Sequence, residues 1–203
     1  MKTLCFFISL VVLTTVSKAQ TSVGITAGTS FANMNVKSEG VTISPKLKTG
    51  FTSGVTVSVA MGKNFMFRPE LNYVQKGTVI EAEGDKMNVT LNYVEHPINF
   101  VYNTSNTKGK FFVGGGPSIA YGISGKYSGS EEGDIKFGSG EEDNFKPFEF
   151  GVNALAGYQF SKGVFFTANY NFGLSNISVY DDEKDHNNFF AFKIGYMFPG
   201  KKK

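Results

Sequence analysis

Tryptophan is absent from the sequence, and cysteine occurs once, at Cys5. A single thiol excludes internal disulfides. Because Cys5 sits in the leader described below, the mature chain also has no thiolate to act as nucleophile or metal ligand. No apolar run beyond the leader reaches the roughly 20 residues that a membrane-crossing helix needs. No amphipathic helix of three turns is evident either. Neither sign of charge dominates: the formal net charge is +3, and the basic tract Lys201 to Lys203 stands alone. That leaves no electrostatic footprint for nucleic acid, so none is expected as a partner.

What is present at the start reads as an export leader. Lys2 precedes an apolar stretch over 4–16, and Ser17-Lys18-Ala19 stands before Gln20. A basic start, a short apolar region and small residues before the cut describe a secretory signal peptide. Cleavage after Ala19 takes 19 of 203 residues and two lysines, leaving 184 residues of net charge +1. Gln20 at the cut, in place of cysteine, excludes a lipoprotein. We therefore expect a signal peptide over 1–19 and one β domain over 20–203.

The rest of the chain alternates with a period of two. Over 65–77, Phe65, Phe67, Leu71 and Tyr73 fall on one parity, while Met66, Arg68, Glu70, Asn72 and Lys76 fall on the other. Alternation of this kind marks a strand with one apolar and one polar face. The same pattern recurs over 22–34, 50–61, 87–103, 111–122, 148–160, 164–175 and 188–198. That makes eight strands, each long enough for the about 9–11 residues that cross a bilayer at a tilt. Their connections alternate long and short. Small barrels of the bacterial outer membrane show this asymmetry, with short periplasmic turns and longer outer loops.

Further features agree with a membrane setting. Aromatic residues gather near strand ends, where interface girdles belong. Glycine, serine and alanine crowd the polar parity, which suits a lumen just wide enough for side chains to fill. The fold class expected is all-β, an eight-stranded antiparallel up-and-down transmembrane β-barrel. A soluble lipocalin-like barrel is the alternative, and it would turn the apolar parity inward. In the strand over 87–103, Val89 and Leu91 break parity with Val94 and Ile98, which predicts a bulge near Asn92. Pro69 and Pro97 lack ladder donors and are expected close together. The connections over 35–48, 78–86 and 123–144 read as polar loops.

Five charged residues fall on the inward parity: Arg68, Glu70, Glu95, Glu149 and Lys193. Unpaired charge in a narrow lumen is costly, so pairing across the barrel is expected, with Arg68 in reach of both Glu70 and Glu95. No catalytic, cofactor or metal residues are assigned. His96 lies on the lipid parity and His186 in the last loop, neither with a serine or aspartate at a telling spacing. The acidic stretches over 131–134, 141–143 and 181–185 lack the regular ligand spacing of a calcium loop.

Several runs together resemble one family. They are Arg68-Pro69-Glu70-Leu71-Asn72-Tyr73 with Gln75-Lys76-Gly77, Tyr93-Val94-Glu95-His96-Pro97, Gly114-Gly115-Gly116-Pro117, and Tyr170-Asn171-Phe172-Gly173-Leu174-Ser175-Asn176-Ile177. This ordered set is similar to PorT-like outer-membrane β-barrel proteins, which have eight strands and an OmpX/OmpA-like architecture. Two positions depart from that family: His96 stands where an aliphatic residue is usual, and Asn169 where an arginine is common. The resemblance implies a barrel in the outer membrane, and its name-giving member assists a protein-secretion system.

The function expected is that of an integral outer-membrane barrel, monomeric, with a non-catalytic envelope-structural or surface-binding role. The alternative is an accessory component of a secretion or assembly machine. A third reading is a membrane-embedded lipid-modifying enzyme using His96 or His186. The partners expected are outer-membrane lipid and a surface or secretion-machinery protein.

Overall fold

The structure, a computed structural model, describes residues 21–38, 41–43, 46–82, 85–104, 109–138, 140, 143–180 and 184–199. The expected leader lies outside the described residues. Ten strands form among them: β1 (Thr21–Ser38), β2 (Val41–Ile43), β3 (Lys48–Ala60), β4 (Phe65–Ala82), β5 (Asp85–Asn103), β6 (Gly109–Ser128), β7 (Glu132–Ile135), β8 (Phe148–Phe160), β9 (Val164–Gly173) and β10 (Lys184–Met197). Eight of them, β1, β3, β4, β5, β6, β8, β9 and β10, pair with their neighbours in chain order. Pairing of β10 with β1 closes the ring. This is the expected eight-stranded antiparallel barrel. Outside the ring, β2 pairs with β1 and β7 with β6.

The side-chain pattern settles which medium the ring suits. Val23, Ile25, Leu71, Phe100, Phe150 and Phe192 are exposed on the outside, while Thr26, Thr52, Asn72, Asn99 and Asn171 are buried within. In water such a wall would be inside out. In a bilayer it is stable, because closure pairs the backbone around the ring and the apolar belt meets lipid. The lipocalin-like alternative required the opposite facing, so it is set aside. At the end with short turns, edge-to-face pairs Phe65–Tyr102, Phe111–Tyr158 and Tyr196–Phe198 stand 4.7–5.3 Å apart and form an interfacial girdle. The turn after β8 closes on Gly163, whose φ of 95° favours glycine.

The opposite end differs from the expected loops. Strands β4 and β5 stay paired from Thr78↔Val89 to Ala82↔Asp85. Strand β6 continues to Ser128 and takes up β7, and β1 runs on to Ser38. Beyond the bilayer a hairpin needs its ladder but no greasy face. The period of two therefore fades there while the pairing persists.

An irregularity does occur beside Asn92, although not by a change of parity in β5. Asn92 stands opposite Ser124 and Tyr93 opposite Gly122, so the extra residue is Ile123 of β6. Val89 and Leu91 stay buried like Tyr93 and Glu95. They fill an apolar layer inside the barrel instead of facing lipid. Pro69 stands opposite Ile98, one residue from Pro97, so one interruption of the β4–β5 ladder takes both prolines.

Candidate functional site

The lumen is filled in three layers. Toward the long hairpins, Met34, Val74, Leu91, Ile177 and Phe189 pack with Tyr93. The Phe137 ring caps this layer, 5.5 Å from the Tyr93 ring. Toward the short turns, Val101, Phe112, Leu155, Phe165 and Met197 form a second apolar layer. Between them lies a polar layer built from inward positions of strands on opposite sides of the barrel.

Two ion-pair clusters hold that middle layer. In one, Lys76 Nζ of β4 lies 2.8 Å from Glu149 Oε1 of β8 and 3.6 Å from Glu95 Oε1 of β5. In the other, Lys193 Nζ of β10 donates to Glu70 Oε2 of β4 at 2.6 Å, and Asn72 Nδ2 donates to the same oxygen at 3.0 Å. Amides complete the carboxylates: Asn187 donates to Glu149 at 2.9 Å and Asn171 to Glu95 at 2.9 Å. Asn153 donates to Asn99 at 2.8 Å. A dry charge costs several kcal/mol unless paired and hydrogen-bonded, so these contacts are what makes the burial tolerable.

All five residues singled out from the sequence are buried. Glu70, Glu95, Glu149 and Lys193 enter the two clusters, but Arg68 joins neither acid. Its guanidinium carbon lies 4.5 Å from the Phe112 ring centroid and 5.9 Å from that of Phe165. Among the described residues no carboxylate is within ion-pair distance of it. One strand repeat separates Arg68 from Glu70, and that repeat carries it into the inner apolar layer. There a planar cation stacks on aromatic faces.

Sequence reasoning left Lys76 out of this set, although it is wholly buried. The signal was present, since Lys76 shares the parity of Arg68, Glu70 and Asn72. Gly77, at φ 122°, ends that alternation directly after it: Thr78 and Val79 are both buried. The Lys76 ammonium also lies 4.8 Å from the Tyr93 ring and 4.9 Å from the Phe189 ring.

The open space left in the middle layer is small. A cavity of about 10 Å³, lined by Thr52, Asn72, Glu95, Asn153, Asn169 and Lys193, has the scale of one water. The two apolar layers bound it on either side. His96 points out of the barrel, and its Nδ1 contacts the Glu70 backbone carbonyl at 2.6 Å. Strand β5 has no N–H at Pro97 to offer that carbonyl, so the imidazole stands in for it. His186 lies at the outer end of β10, opposite Asn35. Neither histidine meets a hydroxyl group among the described residues, and no described trio of acidic or histidine side chains could hold a metal ion. On the outer hairpins Lys46 pairs with Glu81, which holds that carboxyl below the usual carboxylate range.

The family model for the outer membrane protein β-barrel domain matches residues 18–179. No curated protein matches the sequence. Among solved structures the chain is similar to the outer membrane protein OprG from Pseudomonas aeruginosa, with 10% identity, 90% of this chain and 98% of that chain covered, and a TM-score of 0.50. It is also similar to Ail, the attachment invasion locus protein of Yersinia pestis, with 16% identity, 88% and 99% covered, and a TM-score of 0.45. Neisserial surface protein A matches at 11% identity, with 87% and 97% covered and a TM-score of 0.46. Identities this low speak to the fold alone. With an apolar outer belt, a closed ring and a family match over most of its length, the chain belongs to the outer membrane protein β-barrel domain family and is an integral protein of the bacterial outer membrane.

Proposed function

We propose that this protein is a monomeric, non-catalytic barrel with an envelope-structural or surface-binding role, exerted through the hairpins beyond its lipid belt. The filled lumen carries this reading. Among the described residues two apolar layers and an ion-paired polar layer fill the lumen, so recognition falls to the outside. In planar lipid bilayers the purified barrel is expected to give no conductance steps above background. Reproducible steps at neutral pH would sink the proposal. The export leader over 1–19 is part of it: the mature protein recovered from outer membranes is expected to begin at Gln20 by mass.

A second reading is an accessory role in a secretion or assembly machine, as PorT-like kinship implies. It is favoured by one observation. The runs Arg68 to Tyr73, Tyr93 to Pro97 and Gly114 to Pro117 lie on the adjacent strands β4, β5 and β6, beside the two neighbouring interruptions of the β4–β5 and β5–β6 ladders. A stable stoichiometric complex recovered with the barrel from native membranes supports it. Recovery of the barrel alone after mild solubilisation and crosslinking counts against it.

A further inference from the structure

The outward face of β4–β7, just beyond the lipid belt, holds a depression of about 460 Å³. Gln75, Thr90, Asn92, Lys126, Glu132 and Asp134 line it. Its level is set by the rows of the wall. Tyr73, Val94 and Tyr121 form one outward row across β4, β5 and β6, and Gln75, Asn92 and Ser124 form the next. The first row belongs to the belt. The second is hydrogen-bonded along its length: Gln75 Nε2 donates to Asn92 Oδ1 at 3.2 Å, and Asn92 Nδ2 donates to Ser124 Oγ at 2.9 Å. The Tyr73 hydroxyl joins from below, donating to Asn92 Oδ1 at 2.8 Å. The depression therefore opens where hydrocarbon gives way to headgroups, on a floor whose amides are already oriented.

The register sets Lys126 opposite Asp134 and Ser128 opposite Glu132. Among the described residues, however, Lys126, Glu132 and Asp134 enter no ion pair. This mixture narrows the ligand. A simple anion would meet Glu132 and Asp134, and an apolar group would meet amides and charges. No described trio of acidic or histidine side chains offers a metal site. A polyhydroxylated ring fits, because every hydroxyl both donates and accepts. The carboxylates accept hydrogen bonds from its hydroxyls, and Lys126 and the oriented amides donate to its oxygens.

We infer that this face binds a sugar ring, supplied either by the glycolipid of the surrounding outer leaflet or by a free oligosaccharide. The inference rests on the surface-binding role proposed above and names its ligand class.

The test uses isotope-labelled protein in nanodiscs free of lipopolysaccharide, titrated with delipidated core oligosaccharide from rough-type lipopolysaccharide. A parallel sample contains the intact lipopolysaccharide. Amide resonances of residues 75–77, 90–92 and 126–134 are expected to shift, and the double variant K126Q/D134N is expected to weaken binding at least tenfold. Both substitutions are exposed, and a retained heat-modifiable gel band checks that the variant is folded. Shifts with the free oligosaccharide assign the site to soluble glycans. Shifts with the intact glycolipid alone assign it to the membrane's own lipid. Unchanged resonances here, or equal binding by the variant, overturn the site. If shifts then appear on other outer hairpins, the surface-binding role stands without this site.

Discussion

The wall made by β4, β5 and β6 and the wall made by β8, β9 and β10 cross the same bilayer in different ways. In the second, pairing runs without a break from Gly151↔Gly173 to Gln159↔Phe165 and from Asn188↔Phe172 to Tyr196↔Val164. In the first, pairing stops beside each proline. It is missing between Thr56↔Glu70 and Val59↔Phe67, between Pro69↔Ile98 and Asn72↔Glu95, and between Pro97↔Ser118 and Phe100↔Gly115. The interruptions step diagonally through the wall at membrane depth, where an unpaired backbone group has no water to turn to.

The contents of the two walls differ as well. The interrupted wall presents Arg68, Glu70, Lys76 and Glu95 inward, whereas the continuous one presents Asn153, Asn169, Asn171 and Asn187 with Glu149 and Lys193. The lumenal ties run from one wall to the other. Lys76–Glu149, Glu70–Lys193, Glu95–Asn171 and Asn99–Asn153 all join β4 or β5 to β8, β9 or β10. The lesson is a division of labour. Where the ladder is weakest, side chains crossing the lumen hold the wall in place.

The largest break should come from cutting a tie. K76M leaves Glu95 and Glu149 buried without their cation, and loss of one partner of a buried pair costs about 3–5 kcal/mol. The urea midpoint of the heat-modifiable band is expected to fall accordingly, and a loss below about 1 kcal/mol would break the comparison. Next comes a proline moved into the continuous wall. A168P removes a donor from β9 between β8 and β10, at about 1–3 kcal/mol for the group left unpartnered. The reverse change in the interrupted wall, P69A, is expected to leave the midpoint level or slightly raised. If both variants lose equally, the walls do not differ in the way described.

Smaller effects sharpen the picture. H96A removes the group that meets the Glu70 carbonyl and should cost about 1 kcal/mol. P97A in that background is expected to recover part of the loss, because it restores an N–H to the strand. Additive losses in the two-variant cycle would show that imidazole and proline act independently. Least affected is Y93F. Asn187 donates to the Tyr93 hydroxyl at 3.4 Å, beyond the usual range, so a change of about 0.5 kcal/mol or less is expected.

The ring itself was legible because alternation is local. Over 148–160 each residue declares its face, and β8 keeps those bounds in the structure. The outer hairpins were not legible, because strand and loop share the same polar composition once the greasy face is gone. Val89 and Leu91 misled for a related reason. An apolar residue in a barrel strand can face lipid or an inner apolar layer, and the period of two alone does not say which. Arg68 was expected beside two acids, but the stacking that claims it comes from Phe112 on β6 and Phe165 on β9, which local pattern does not link to it.

By itself the sequence determined the number of membrane strands, the facing of most residues and the compartment, because these follow from alternation, connection lengths and the composition of each face. The tertiary structure alone decided which inward residues meet. Lys76 and Glu149 are 73 residues apart, and Glu70 and Lys193 are 123 apart. Their contact depends on the stagger accumulated around the closed ring, which sets the level at which opposite strands face one another. No single strand encodes that sum.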